Sequence, residues 1–127
     1  VVKINESELA ALQSYFNLPD ETYSAINRLM KKFNVELLAV TLGKDGAILS
    51  NGKSINYFKT EPVNVVDTLG AGDAYSAILC IGYLFNMDIE KINLIANQFA
   101  LEICMINGAL ASDEIYEKYR VIIRSNK

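Results

Sequence analysis

Apolar residues recur along this 127-residue chain in two rhythms, and the switches between them divide it into strands and helices. Val1 to Ile4 is a short run of β type, cut off by Asn5. From Glu6 to Phe16 the apolar positions Leu9, Leu12 and Phe16 fall at helical spacing. Pro19-Asp20-Glu21 opens a second helix, with a proline near the first turn and acids near the positive end of the dipole. Ala25, Ile26, Leu29, Met30 and Phe33 mark one face of that helix, which stops near Asn34. Val35 to Leu42 is a near-continuous apolar run, the pattern of a strand buried on both faces of a parallel sheet.

Past the turn Gly43-Lys44-Asp45-Gly46, the runs Ala47 to Ser50 and Ser54 to Phe58 flank Asn51-Gly52. Both of those residues tolerate positive φ, so the pattern predicts a hairpin with a two-residue turn. Val63 to Val66 reads as another short strand, broken by Gly70-Ala71-Gly72. The segment Asp73 to Phe85 is almost wholly apolar and reads as a buried helix; Asp88 can cap a further helix through Ile106. Ser112 caps a last amphipathic helix through Ile123, with Ile115, Tyr119 and Ile122 on one face. The order of elements is that of an α/β fold. Two long helices with so little polar surface need cover on several sides, from a larger sheet or from a partner.

Composition narrows the chemistry. A 51% apolar chain of this length can build a core, and its 21% charged residues and net charge of −3 are far from the signature of disorder. No apolar run approaches the ~18 residues of a membrane span, and no signal peptide is visible, so no membrane is expected. Mild acidity without a Lys/Arg cluster argues against nucleic acid. The chain has no histidine, which removes histidine triads, imidazole bases and nearly all zinc or copper sites. Cys80 and Cys104 lie in apolar runs without a CxxC partner and read as buried reduced thiols, hence a cytoplasmic compartment. The chain opens at Val1 rather than Met, as a processed chain or a piece of a longer one does.

The segment Asp67-Thr68-Leu69-Gly70-Ala71-Gly72-Asp73 carries the most chemistry. Small residues at the start of a helix leave backbone N–H groups open, and with the helix dipole these make an anion site. An acid beside such a site repels the anion, a cost that makes sense if Asp73 takes a proton from a hydroxyl attacking phosphorus. On local physics alone the same segment also reads as a tight turn with Asp73 complementing the dipole. It is neither a Walker A loop nor a dinucleotide fingerprint, since Tyr75 stands where the third glycine belongs.

The DTLGAGD segment resembles the C-terminal signature of the PfkB (ribokinase-like) carbohydrate kinases, DTxGAGD, and fructokinase-type members look most similar. Asn5-Glu6-Ser7-Glu8 resembles that family's NxxE motif and Thr41-Leu42-Gly43-Lys44-Asp45-Gly46 its TxGxxG loop. Ala96-Asn97 and Gly108-Ala109 resemble the helix and loop flanking the adenosine. The resemblance implies a ribokinase-like three-layer α/β/α fold, here its C-terminal part, with a mainly parallel sheet and one β-hairpin. Residues 1–127 then form the nucleotide-binding and catalytic portion, without the Gly-Gly sugar motif and the lid of the family's N-terminal half.

Residue by residue, the resemblance implies Asp73 as catalytic base and Gly70, Ala71 and Gly72 as anion hole. It implies Thr41, Gly43, Gly46, Asn97 and Gly108 as nucleotide contacts. It implies Asn5 and Glu8 as organisers of Mg²⁺, largely through water; read on their own, they are first a capping box, and both readings can hold together. Asn97 on its own reads equally as a polar residue at an exposed helix edge. Asp67 and the Leu69 carbonyl fall where some members bind a monovalent cation such as K⁺. The cofactors implied are ATP and Mg²⁺, the substrate a sugar with fructose favoured, and the parent of full length can be a homodimer paired through the lid. Leu69 replaces the commoner Thr, and Ile78 stands where a small residue is usual. The reading is ATP-dependent phosphoryl transfer to a sugar hydroxyl by the parent, with the isolated chain inactive. The alternatives are a non-catalytic nucleotide-binding or structural module and a nucleoside or other small-molecule kinase of the same superfamily.

Overall fold

The computed structural model describes residues 1–108 and 110–127 and divides into two compact units, Val1–Thr60 and Glu61–Lys127. The first unit runs β1 (Val2–Asn5), α1 (Glu6–Phe16), α2 (Thr22–Phe33), β2 (Leu38–Thr41), β3 (Ala47–Ser50) and β4 (Ile55–Phe58). These form a four-stranded sheet in the order β1-β2-β3-β4. The β1–β2 pair is parallel, joined through α1 and α2, while β2–β3 and β3–β4 are antiparallel. Among the described residues the sheet is thus mixed, with the parallel geometry confined to one pair. Ile4, Leu38, Val40 and Ile48 meet Leu9 of α1 and Ala25, Ile26, Leu29 and Met30 of α2 in one core cluster. Ala39, Ala47 and Leu49 are fully buried as well, which explains why β2 and β3 read as unbroken apolar runs.

The helix boundaries follow local chemistry. Glu21 caps α2, its carboxylate accepting from the backbone N–H of Tyr23 and Ser24. Asn17 and Asn34 end α1 and α2 in the left-handed conformation that asparagine tolerates. The apolar run from Val35 is longer than the strand it contains, since β2 begins only at Leu38. The hairpin differs from the two-residue turn. Ser50 pairs with Ile55, leaving a four-residue loop, because Asn51 Oδ1 accepts from Lys53 N and Ser54 N and builds its own turn.

The second unit contains α3 (Ala71–Leu84), α4 (Ile89–Cys104) and α5 (Asp113–Ser125). Gly82 lets α3 and α4 approach closely, since a Cβ there would lie 2.5 Å from Ile92 Cγ1. Ser112 caps α5 as its position predicts, accepting from Ile115 N. Asp88 is the N-cap of α4, but its side chain makes no capping hydrogen bond. Two expectations are corrected. Val63–Val66 forms no strand: its last amide, with that of Asp67, donates to the Cys104 carbonyl, so α4's C-terminus rather than a neighbouring strand takes those N–H groups. Cys80 is exposed, because α3 turns a stripe of Asp73, Ala77, Cys80 and Leu84 outwards, and Cys104 is half-buried in the last turn of α4. Burial and the Asp67 carboxylate raise the Cys104 thiol pKa above its ordinary value.

Candidate active site

In the first unit the candidate residues gather at the carboxyl ends of β1 and β2. Asn5 is the register partner of Thr41, so the start of α1 and the start of the glycine turn lie side by side. Ligands of α/β sheets bind outside the carboxyl ends of parallel strands. Asn5 and Glu8 make a full capping box: Asn5 Oδ1 accepts from Glu8 N at 2.8 Å, and Glu8 Oε2 accepts from Asn5 N at 2.7 Å. Both side chains stay exposed, and Oε1 of Glu8 takes no part in the box. The Thr41 hydroxyl donates to the Ile4 carbonyl at 3.4 Å.

Gly43–Asp45 forms one 3₁₀ turn, closed by Leu42 N donating to the Gly46 carbonyl and Gly46 N to the Gly43 carbonyl. Gly43 (φ +57°) and Gly46 (φ +101°) both lie in the left-handed half of backbone space. At Gly46 the requirement is absolute, since a Cβ would stand 1.8 Å from the Phe58 carbonyl oxygen. The Tyr57 hydroxyl donates to the Asp45 carbonyl at 2.8 Å, tying β4 to the turn. Neither grip on the loop is signalled by the motif itself.

In the second unit Gly70 (φ +82°) is the N-cap of α3, and Asp73 lies exposed in the first turn. Ala74 N donates to the Gly70 carbonyl, and Ala71 N reaches the Thr68 carbonyl only at 3.3 Å. Among the described residues the amides of Gly70, Gly72 and Asp73 meet no protein acceptor. A left-handed glycine cap followed by open N–H groups is a cradle for an anion. The turn before it is fixed by Asp67, whose Oδ1 accepts from Leu69 N at 2.9 Å. Asp67 and Asp73 therefore differ in role: one carboxylate organises the loop, the other stands free beside the open amides.

Asn97 is not at an exposed helix edge. It is 6% exposed, and its amide nitrogen donates to the Asn93 carbonyl at 2.7 Å and to Asn93 Oδ1 at 2.9 Å. The buried Tyr75 hydroxyl donates to the same Asn93 Oδ1 at 2.8 Å, joining α3 to α4. The two asparagines four residues apart, set among the apolar positions of α4, were the available sequence signal for this network. Burial raises the Tyr75 pKa, so its hydroxyl remains a donor at neutral pH. Gly108 has φ +91° with open space where a Cβ would stand, and Ala109 lies outside the described residues. No group of three or more acidic or cysteine side chains among the described residues could by itself hold a metal ion.

The model of the pfkB family of carbohydrate kinases matches residues 1–114, which takes in every one of these motifs. The chain belongs to that family. A fructokinase from Klebsiella pneumoniae is 36% identical over 112 residues, 87% of this chain and 34% of that protein. An ATP-dependent 6-phosphofructokinase from Thermoanaerobacterium thermosaccharolyticum is 53% identical over 65 residues, covering 49% of this chain and 20% of that protein. The crystal structure of ribokinase from Thermotoga maritima superimposes with a TM-score of 0.73 at 23% identity, covering 94% of this chain and 41% of that one. The fold is accordingly the ribokinase-like α/β fold. This pfkB chain spans about a third of the length of the fructokinase it matches.

Proposed function

We propose that the chain carries the nucleotide-binding and catalytic portion of an ATP-dependent sugar kinase, with a fructose-class hydroxyl as acceptor. The observation supporting this most directly is the set of open amides at Gly70, Gly72 and Asp73 with the exposed Asp73 carboxylate in the same helical turn. The acceptor hydroxyl oxygen bonds to the γ-phosphorus as the bond to ADP breaks, and the hydroxyl proton passes to Asp73. The open Gly70 and Gly72 amides stabilise the charge on the phosphoryl oxygens without rearrangement, and the Ala71 amide joins them by giving up its 3.3 Å bond to the Thr68 carbonyl.

Thr41, Gly43 and Gly46 line the nucleotide in this reading, along a turn whose glycines let phosphate approach the backbone. Gly108 serves there too. Asn97 spends both amide hydrogens on Asn93, so it meets the nucleotide through its oxygen or acts by holding α4 to α3. Magnesium bound with ATP offsets phosphate charge. Asn5 and Glu8 suit it as outer ligands, since the capping box leaves Glu8 Oε1 for a water of a hard cation that keeps several waters. The second oxygen of Asp67, with the Leu69 carbonyl, suits K⁺.

The chain holds no Gly-Gly sequence, so by itself it binds nucleotide without turnover. Calorimetry with ATP and Mg²⁺ tests the first half of that statement, and a coupled ADP-release assay with fructose the second. In a form of the protein that turns over, Asp73→Asn lowers kcat by about 10²–10⁴-fold with ATP affinity within threefold of the parent. Unchanged turnover removes Asp73 as the base. Absence of ATP binding by the folded chain removes the nucleotide reading.

A further inference from the structure

One of the open amides at the start of α3 has a side chain gripping the far end of its own peptide unit. The Asp73 N–H shares a plane with the Gly72 carbonyl, and that carbonyl accepts from the half-buried Ser76 hydroxyl at 2.8 Å. A serine bonded back to the carbonyl four residues before it slightly disfavours a helix, and Ser125 makes the same bond to Val121. The two cases differ in the peptide that is gripped. At Val121 the N–H of that peptide, on Ile122, lies inside α5, where the helix ladder takes it up. At Gly72 the N–H meets no protein acceptor among the described residues and stands at the open N-terminus. Gly72 has no side chain to restrain that plane, so the Ser76 bond adds a restraint where local sterics supply least. A hydrogen bond at the carbonyl also polarises the amide and makes its N–H the better donor.

We propose that Ser76 is a positioning residue for phosphoryl transfer: by holding the Gly72 carbonyl it keeps the Asp73 N–H aimed and polarised towards the phosphoryl oxygens, beside the amides of Gly70 and Gly72. This role rests on the phosphoryl-transfer reading, in which those amides receive the transferred group. The hydroxyl acts through one peptide and touches neither nucleotide nor sugar. Losing a whole oxyanion donor costs about 10²–10³ in kcat, and one hydrogen bond strengthens the next in a chain by about 10–30%. Removing the Ser76 hydroxyl therefore lowers kcat by about two- to eightfold. KM for ATP stays within about twofold, because the interaction strengthens only as charge develops.

Threonine and valine at position 76 separate this role from packing, since they share a shape and differ by the hydroxyl, and a helical threonine can make the same backward bond. In a form of the protein that turns over, Ser76→Thr keeps the kcat of the parent, and Ser76→Val falls about two- to eightfold below it at an equal melting temperature. Ser76→Ala, which removes the hydroxyl without adding bulk, shows the same loss should the added methyl disturb α3. In the chain itself, saturated with ATP and Mg²⁺, the Asp73 amide proton resonance moves downfield in the parent and in Ser76→Thr, and moves less in Ser76→Val. Equal kcat for the threonine and valine variants, or a Ser76→Ala variant as fast as the parent, overturns the proposal; a loss of turnover in Asp73→Asn beside that result leaves the phosphoryl-transfer reading standing. A fall in both threonine and valine variants with a raised KM for ATP makes Ser76 a packing residue and overturns it as well. So does an Asp73 resonance that ATP moves equally in all three chains. Unchanged turnover in Asp73→Asn removes the reading, and the role of Ser76 with it.

Discussion

Single residues hold the candidate loops in shape, and two of them give measurable consequences. Gly46 stands with φ +101° and a carbonyl 1.8 Å from where a Cβ would be. Gly46→Ala must displace the Phe58 backbone, so the turn and the β3–β4 edge shift together. A loss of about 2–4 kcal/mol in urea unfolding is expected, with nucleotide affinity falling alongside. Glu21 offers a pH test. The Ser24 hydroxyl and backbone N–H, then the Tyr23 N–H, hold its carboxyl below the ordinary value of 4.5. A depressed pKa means the folded state favours the carboxylate, so the stabilisation is present above pH 4.5 and is lost as pH falls through the folded value. The stability gap between the parent and Glu21→Gln should therefore shrink on acidification, as followed by thermal melts at neutral and acid pH. A gap constant with pH would show that the cap acts through neutral hydrogen bonding alone.

At the scale of elements, the α3–α4 contact is set by Gly82 against Ile92. A methyl at position 82 would normally favour a helix by about 1 kcal/mol. Here it meets Ile92 Cγ1 at 2.5 Å inside a packed interface, and overpacking of that kind costs about 1–3 kcal/mol. Gly82→Ala is expected to destabilise, and Gly82→Ala with Ile92→Ala to cost less than the sum of the two, as chemical denaturation of the four chains would read. The elements also show what the chain's pattern can and cannot reveal. Helices α1, α2 and α5 were legible because their caps and apolar faces are local properties of Glu21, Ser112 and the 3.6-residue repeat. The Val63–Val66 run was misleading, since its β-branched residues fit a strand, but among the described residues no strand of the second unit stands ready to accept them. The Asn51 side chain overrode a dipeptide that otherwise favours a two-residue turn. In the candidate site the Gly70-Ala71-Gly72 turn and Asp73 were legible from local chemistry, and Gly43 and Gly46 only through the resemblance to the family's TxGxxG loop. The grips on them were not, because Tyr57–Asp45, Gly46–Phe58 and Tyr75–Asn93 join residues that only the fold brings together.

Across the whole molecule, individual elements differ in how completely they are buried, and this sets an order of local stability. In the first unit β2 and β3 are buried along nearly their full length, and their amides are locked in ladders on both sides. In the second unit α5 buries only Tyr119 and Ile123. The Tyr119 hydroxyl donates to Glu102 at 2.9 Å, and Lys118 pairs with the same carboxylate, so α5 is held to α4 by a polar clasp over a small apolar contact. Few buried apolar contacts and exposed backbone hydrogen bonds are the conditions for low-energy local opening. Hydrogen exchange should therefore release the α5 amides well before those of Leu38–Val40 and Ile48–Leu49. Uniform exchange across both units would mean that they open as one cooperative body and that α5 draws its stability from elsewhere than the clasp.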